Sequence, residues 1–177
     1  MSRTLTINKT SSYPSLDPGW HTVTIKSAKY GDYNGNKFID INFDNYPENL
    51  KLRVYESVNK TTGEEWRIGQ LFRFANAGIS GGLEGANGSV VMKIDDDANN
   101  LRGREINVYF YKKGQYTEVY RDIAPTVFDN DVESFKENDV EYWKGRCEKN
   151  YLDYKGNQAS STEGDGIGSD SFGADPF

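Results

Sequence analysis

Ile39, Ile41 and Phe43 alternate with Phe38, Asp40 and Asn42, and Leu50, Leu52 and Val54 alternate with Lys51, Arg53 and Tyr55. Successive side chains of a strand point to opposite faces, so this period of two commits both segments to β-structure with one face buried. The same pattern places Val23 and Ile25 in a strand over Trp20–Tyr30, and sets Ile106, Val108 and Phe110 against Asn107, Tyr109 and Tyr111. Turn chemistry joins these runs. Asn34-Gly35, inside Asp32–Asn36, is a hairpin signal because both residues tolerate positive φ. Tyr46-Pro47-Glu48-Asn49 breaks the chain before the third strand, so the first three form a meander. Lys112-Lys113-Gly114-Gln115 turns into a strand over Tyr116–Ile123, which Pro125 ends.

Between the third and fourth strands the period changes. Ile68, Leu71, Phe72, Ala75 and Ile79 follow helical spacing, Thr62 with Glu65 reads as a capping box, and Gly78 reads as the stop. Gly69 inside this helix costs about 1 kcal/mol relative to Ala. The glycine-rich Gly78–Gly88 reads as a flexible connection, and Ser89–Gly103 as a short element followed by a turn at Asp95–Asn100. Further on, Ser134 and Glu137 are candidate caps for a short helix with Val140, Trp143, Cys147 and Tyr151 on one face. The last twenty residues, Gln158–Phe177, hold four Gly, four Ser, four acids and no Lys or Arg. Such a segment buries too little apolar surface to offset its ordering entropy and is expected to be disordered.

Three strands, a helix and two further strands within roughly 100 residues is the order of an OB-fold, a five-stranded barrel that binds oligonucleotides or oligosaccharides. The expected fold is therefore mainly β: an OB barrel with a helix between strands three and four, a short C-terminal helix and an acidic tail. A Greek-key barrel or sandwich of another kind satisfies the same order. The expected boundaries are an N-terminal extension at 1–19, the OB domain at 20–128, a helical extension at 129–157 and the tail at 158–177.

Composition narrows the chemistry. The 177 residues include one Cys, Cys147, and one His, His21, which excludes an internal disulfide, a thiolate zinc cage and most His-based catalysis. The Asp95–Asp97 run lacks EF-hand spacing, and the glycine run at 78–85 lacks the Gly-Lys-Ser/Thr of a phosphate loop. These features point to a non-enzymatic protein that needs no metal or cofactor. No apolar run reaches the roughly 18–20 residues of a membrane-spanning helix, and no secretory signal is visible, so a cytosolic setting is expected. The net charge is −6, yet positions 20–128 carry 14 charges of each sign, so the acidity is concentrated after residue 128.

In an OB-fold the ligand meets strands two and three and the loops joining strands one to two and four to five. If Ile39, Ile41 and Phe43 face the core, then Phe38 faces out, as do Lys51, Arg53 and Tyr55 on strand three. The first hairpin adds Tyr33 and Lys37, with Lys26 earlier on its strand. The second adds Lys112, Lys113 and Tyr116, with Tyr109 and Tyr111 on the strand leading into it. Phosphates require positive charge and unpaired bases require flat partners, so this set suits single-stranded nucleic acid. Residue by residue, the same side chains also serve as solvated strand faces and cross-strand pairs.

The chain closes on Gly173-Ala174-Asp175-Pro176-Phe177. In its organisation, and specifically at Asp175, Pro176 and Phe177, it resembles the single-stranded DNA-binding proteins of bacteria and phages, whose OB domain precedes a flexible acidic tail ending in Pro-Phe or a lone Phe. Leu101-Arg102-Gly103-Arg104 also looks like a run that leads into a strand in phage OB-fold proteins. The acidic run is sparser than the bacterial tip, with Ala174 where another acid is expected, and Asp129–Asn157 exceeds a minimal bacterial OB domain; the compact, Tyr-rich plan looks more phage-like than cellular. The resemblance implies coating of unpaired DNA in replication, recombination and repair, and recruitment of partner proteins through Asp170, Asp175, Pro176 and Phe177. The rival class is a β-rich carbohydrate-binding or structural phage protein, in which the same aromatics stack on sugars.

Overall fold

The structure, a computed structural model, describes residues 2–7, 14–84, 88 and 90–163. In chain order the elements are β1 (Gly19–Tyr33), β2 (Asn36–Phe43), β3 (Lys51–Tyr55), α1 (Arg67–Phe74), β4 (Ile79–Glu84), β5 (Val90–Ile94), β6 (Glu105–Lys113), β7 (Tyr116–Ala124), β8 (Phe128–Asp129), β9 (Ser134–Phe135) and α2 (Glu137–Glu163). Five of the strands form one antiparallel sheet in the order β3-β2-β1-β6-β7, so the architecture is mainly β.

The long β1 organises this sheet by pairing with β6 over Gly19–Thr24 and with β2 from Ile25 to Tyr33. The change of partner coincides with a bulge between Ile25 and Ser27, which leaves Lys26 as the inserted residue. Gly103 donates its N–H to the Ile25 carbonyl at 2.8 Å and Ile25 donates to the Arg104 carbonyl at 2.8 Å, which carries pairing across the break. An inserted residue inverts the alternation: Val23 and Ile25 face the core before it, and Ala28 and Tyr30 pack on the core after it.

Ile39, Ile41, Phe43, Leu52 and Val54 meet Ile106, Val108 and Phe110 in a continuous core, closed at one end by Leu71, Phe72 and Phe74 of α1. Each fully buried Ile, Leu or Phe contributes about 1.5–3 kcal/mol relative to an exposed one. His21 stacks on Phe110 at 4.1 Å and joins the Asp17 carbonyl at 2.6 Å, which makes it a packing residue. The edge strands β3 and β7 touch without forming a ladder, so the described sheet is open there, with α1 and α2 packed nearby.

Several local expectations change. The helix after β3 begins at Arg67, and Thr62 with Glu65 is not a reciprocal capping box. Instead the Glu65 carboxylate alone accepts the backbone N–H groups of Arg67, Ile68 and Gly69 at 2.8, 2.9 and 3.0 Å and that of Ser57 at 3.1 Å. An anion is well placed there, at the positive end of the helix dipole. The helix ends at Phe74 because Asn76 adopts φ 53°, while Ala77 donates to the Phe72 carbonyl at 2.9 Å. Gly78 has a different role from a helix stop: a Cβ there would lie 2.1 Å from the Asp95 carbonyl oxygen, so only glycine admits this approach. The supposed flexible connection contains β4, paired with β5 in a hairpin. Glycines at 81 and 82 erase the alternation that would mark a strand, and the pairing partner supplies what the side chains do not.

The C-terminal helix is 27 residues long and continues past the expected boundary at 157 to Glu163. Ser134 does not cap it but lies in β9; Asp139 accepts the Lys136 N–H at 2.9 Å at its start. The expected face is present, with Val140 and Cys147 buried, Trp143 5.0 Å from Phe74 and Tyr151 packed on the sheet. Among the described residues no helix is long and apolar enough to cross a membrane.

Candidate nucleic-acid interface

The outward side of β1, β2 and β3 is built from three cross-strand rows. Gly31, Phe38 and Tyr55 form the first, Lys29, Asp40 and Arg53 the second, and Ser27, Asn42 and Lys51 the third. In the first row Phe38 lies over Gly31, where a Cβ would come within 2.5 Å of the ring. Tyr55 meets Phe38 edge to face at 5.6 Å, and the Arg53 guanidinium lies 3.8 Å above the same ring. Phe38 is thus on the expected face but only 8% exposed. It supports Arg53 rather than offering a free stacking surface, and Tyr55, 39% exposed, supplies the ring.

In the second row Asp40 accepts two hydrogen bonds from Arg53, at 2.7 and 2.9 Å, and approaches Lys51 Nζ at 3.3 Å. Burial opposes the charge on Asp40, but the hydrogen bond and charge of Arg53, reinforced by Lys51, outweigh it and hold the carboxyl below its usual range. The hydrogen bond that Arg53 donates to Asp40 in turn raises the pKa of Arg53. A bidentate ion pair and an aromatic floor fix the guanidinium in place, which lowers the entropy lost when it contacts a phosphate.

Two hairpin tips lie at opposite ends of β1, since Tyr33 pairs with Asn36 at one end and Gly19 with Phe110 at the other. At the first tip Tyr33 is 59% exposed, and Lys37 sits 5.1 Å above the Tyr30 ring, whose hydroxyl donates to the Asp96 carbonyl at 2.8 Å. Lys26 is exposed at the bulge. At the second tip Lys112 donates to Thr117 Oγ1 at 2.7 Å, Lys113 is exposed, and Tyr116 is 66% exposed.

Tyr109 and Tyr111 do not join this surface. They face α2, where Tyr151 packs 5.1 Å from Tyr109, 5.4 Å from Tyr111 and 5.3 Å from Tyr120. Trp20 closes the cluster edge-on to Tyr109 at 5.3 Å and donates its indole N–H to Glu148 at 2.7 Å. Tyr111 donates to Glu118 at 3.0 Å, and burial, with that carboxylate next, pushes its hydroxyl pKa up. The alternation put both rings on one face correctly, but α2 covers that face.

Lys29 is the cation the sequence reading missed. Strict alternation from Val23 and Ile25 sends it inward, and the bulge at Lys26 turns it out; no local signal in the strand marks that insertion. Cys147 is buried, its thiol donating to the Asp122 carbonyl and its pKa pushed up, first by burial. Asp95–Asp97 forms a capped turn, with Asp97 accepting the Asn99 N–H at 2.9 Å, and among the described residues no cluster suits a metal ion. Asp170, Asp175, Pro176 and Phe177 lie outside the described residues. Comparison with protein-family models, with curated proteins and with solved structures gives no match to this chain.

Proposed function

We propose that the chain is a single-stranded DNA-binding protein of the phage type with little base preference, built on an OB-fold and acting on unpaired DNA in replication, recombination and repair. The observation that carries this reading is the segregation of charge on the outer face of β1–β3. There Lys29, Lys51 and Arg53 stand against the single carboxylate of Asp40, beside the exposed ring of Tyr55. A segment with equal numbers of each sign binds a polyanion only if its cations are gathered, and here three are gathered on one face. The cations meet phosphates while Tyr55 and Tyr33 stack on bases, an arrangement indifferent to sequence because every base has a flat face.

The strand order supports the OB reading, with a meander of β1–β3, α1 after it, then β6 and β7, and β1 shared between both halves of the sheet. The β4–β5 hairpin is an insertion into that plan. By resemblance, the tail at Asp170, Asp175, Pro176 and Phe177 recruits partner proteins, and no catalytic step or cofactor is assigned. Fluorescence anisotropy of labelled oligo(dT) at two salt concentrations tests the reading. Binding that weakens steeply as salt rises is expected, and no binding at low salt would refute it.

A further inference from the structure

Arg53 is held at three points. Its Nε donates to Asp40 Oδ1 at 2.7 Å, its Nη2 donates to Asp40 Oδ2 at 2.9 Å, and its Cζ lies 3.8 Å from the centre of the Phe38 ring. That last separation is direct contact, within the optimum of about 3.5–4.0 Å for carbon pairs. Phe38 itself reaches across Gly31, and only glycine admits it, since a Cβ there would lie 2.5 Å from the ring. Three strands thus build one support: β1 supplies the gap, β2 the ring and β3 the guanidinium.

A guanidinium is planar and its N–H donors lie in that plane, so its edge and its two faces serve different partners. Part of the Arg53 edge is taken by Asp40, and the remaining donors are left for a phosphate. One face rests on Phe38. The side chain is nonetheless 35% exposed, so the opposite face is open, with Lys51 and Tyr55 as its neighbours along β3. An unpaired base needs a flat partner, and a cationic plane backed by an aromatic ring is one. We infer that the outer face of Arg53 is a base-stacking platform: the residue takes a nucleobase on its plane as well as a phosphate at its edge, and Phe38 is the positioning residue for that plane. Tyr55 stands two residues, about 7 Å, further along β3, so the two platforms receive neighbouring bases of one strand. The inference rests on the single-strand binding proposed above, in which Arg53 acts as a cation and only Tyr33 and Tyr55 receive bases.

Lysine separates the plane from the charge. In the full chain, Arg53→Lys is expected to weaken anisotropy-measured binding of oligo(dT) about three- to twentyfold with the log–log salt slope unchanged. Binding of an abasic deoxyribose-phosphate oligomer of the same length should stay as in the wild type, because the cation remains. Phe38→Leu removes the ring under the guanidinium and leaves every charge in place. It is expected to give the same selective loss, and to add little in the Arg53→Lys background because both act through one plane. Arg53→Lys that binds oligo(dT) as tightly as the wild type would make Arg53 a plain cation and overturn the stacking role. Equal weakening on both probes would overturn it as well, by showing that the fork grips phosphate; the β1–β3 face stands in either case. Losses from the two variants that simply add would remove Phe38 as the positioning residue. A wild type that binds no oligo(dT) would remove the single-strand reading itself.

Discussion

The outer faces of β2–β3 and of β6–β7 both carry aromatic rings, yet they have opposite fates. One carries Phe38, Lys51, Arg53 and Tyr55 and is left open, while the other carries Tyr109, Tyr111 and Tyr120 and is roofed by α2 through Tyr151 and Tyr154. Aromatic residues spaced two apart specify that the rings share a face. Whether the face meets ligand or protein depends on what packs there, and here α2, which begins thirteen residues after the end of β7, takes one of the two.

The largest effect that would break this comparison lies under the roof. Tyr151→Ala removes the ring that touches three tyrosines and is expected to cost about 2–4 kcal/mol, a fall in Tm of roughly 5–15 °C in calorimetry, with oligonucleotide affinity at 20 °C unchanged. A loss of DNA binding without loss of stability would mean the tyrosine cluster is itself a binding surface. On the open face the reverse holds: Lys51→Ala combined with Arg53→Ala is expected to weaken oligo(dT) binding about ten- to a hundredfold at low salt and to lower the salt slope by about 1.4. Tyr55→Ala should weaken binding about five- to fiftyfold with its salt slope nearly unchanged, since stacking releases no counterions. Equal slopes for the two open-face variants, measured by anisotropy across a salt series, would show that the DNA lies elsewhere.

Asp40 gives the smallest and most specific effect. Its carboxylate competes with phosphate for Arg53 and Lys51, so Asp40→Asn is expected to tighten oligonucleotide binding about two- to fivefold. Its pKa is depressed in the folded protein, so the pair contributes stability above the unfolded carboxyl value, near 3.9, and that contribution is lost as pH falls through the lower folded value. A urea-melt series from pH 6 to pH 2 should show the wild type losing more stability than Asp40→Asn over that window. Identical acid profiles would mean that the pair contributes nothing to the fold, as many exposed ion pairs do.

Taken alone, the sequence determined whatever depends on neighbours in the chain. Alternation at Ile39–Phe43, Leu50–Tyr55 and Ile106–Phe110 sorted side chains between two faces, and Asn34-Gly35 and Gly114 turned the strands. The Val140–Tyr151 spacing marked a helical face that needed a partner. These follow from periods of 2 and 3.6 and from backbone sterics, which are local. Tertiary structure decided the bulge that inserts Lys26 and turns Lys29 outward, the pairing that makes β4 from a glycine-rich stretch, and the side of the sheet that α2 covers. It also decided the seat of Arg53 on the Phe38 ring, which reaches over Gly31 and so joins three strands. Each of these depends on contacts between residues far apart in sequence, whose free energy is set by burial and fit that no short window of residues contains.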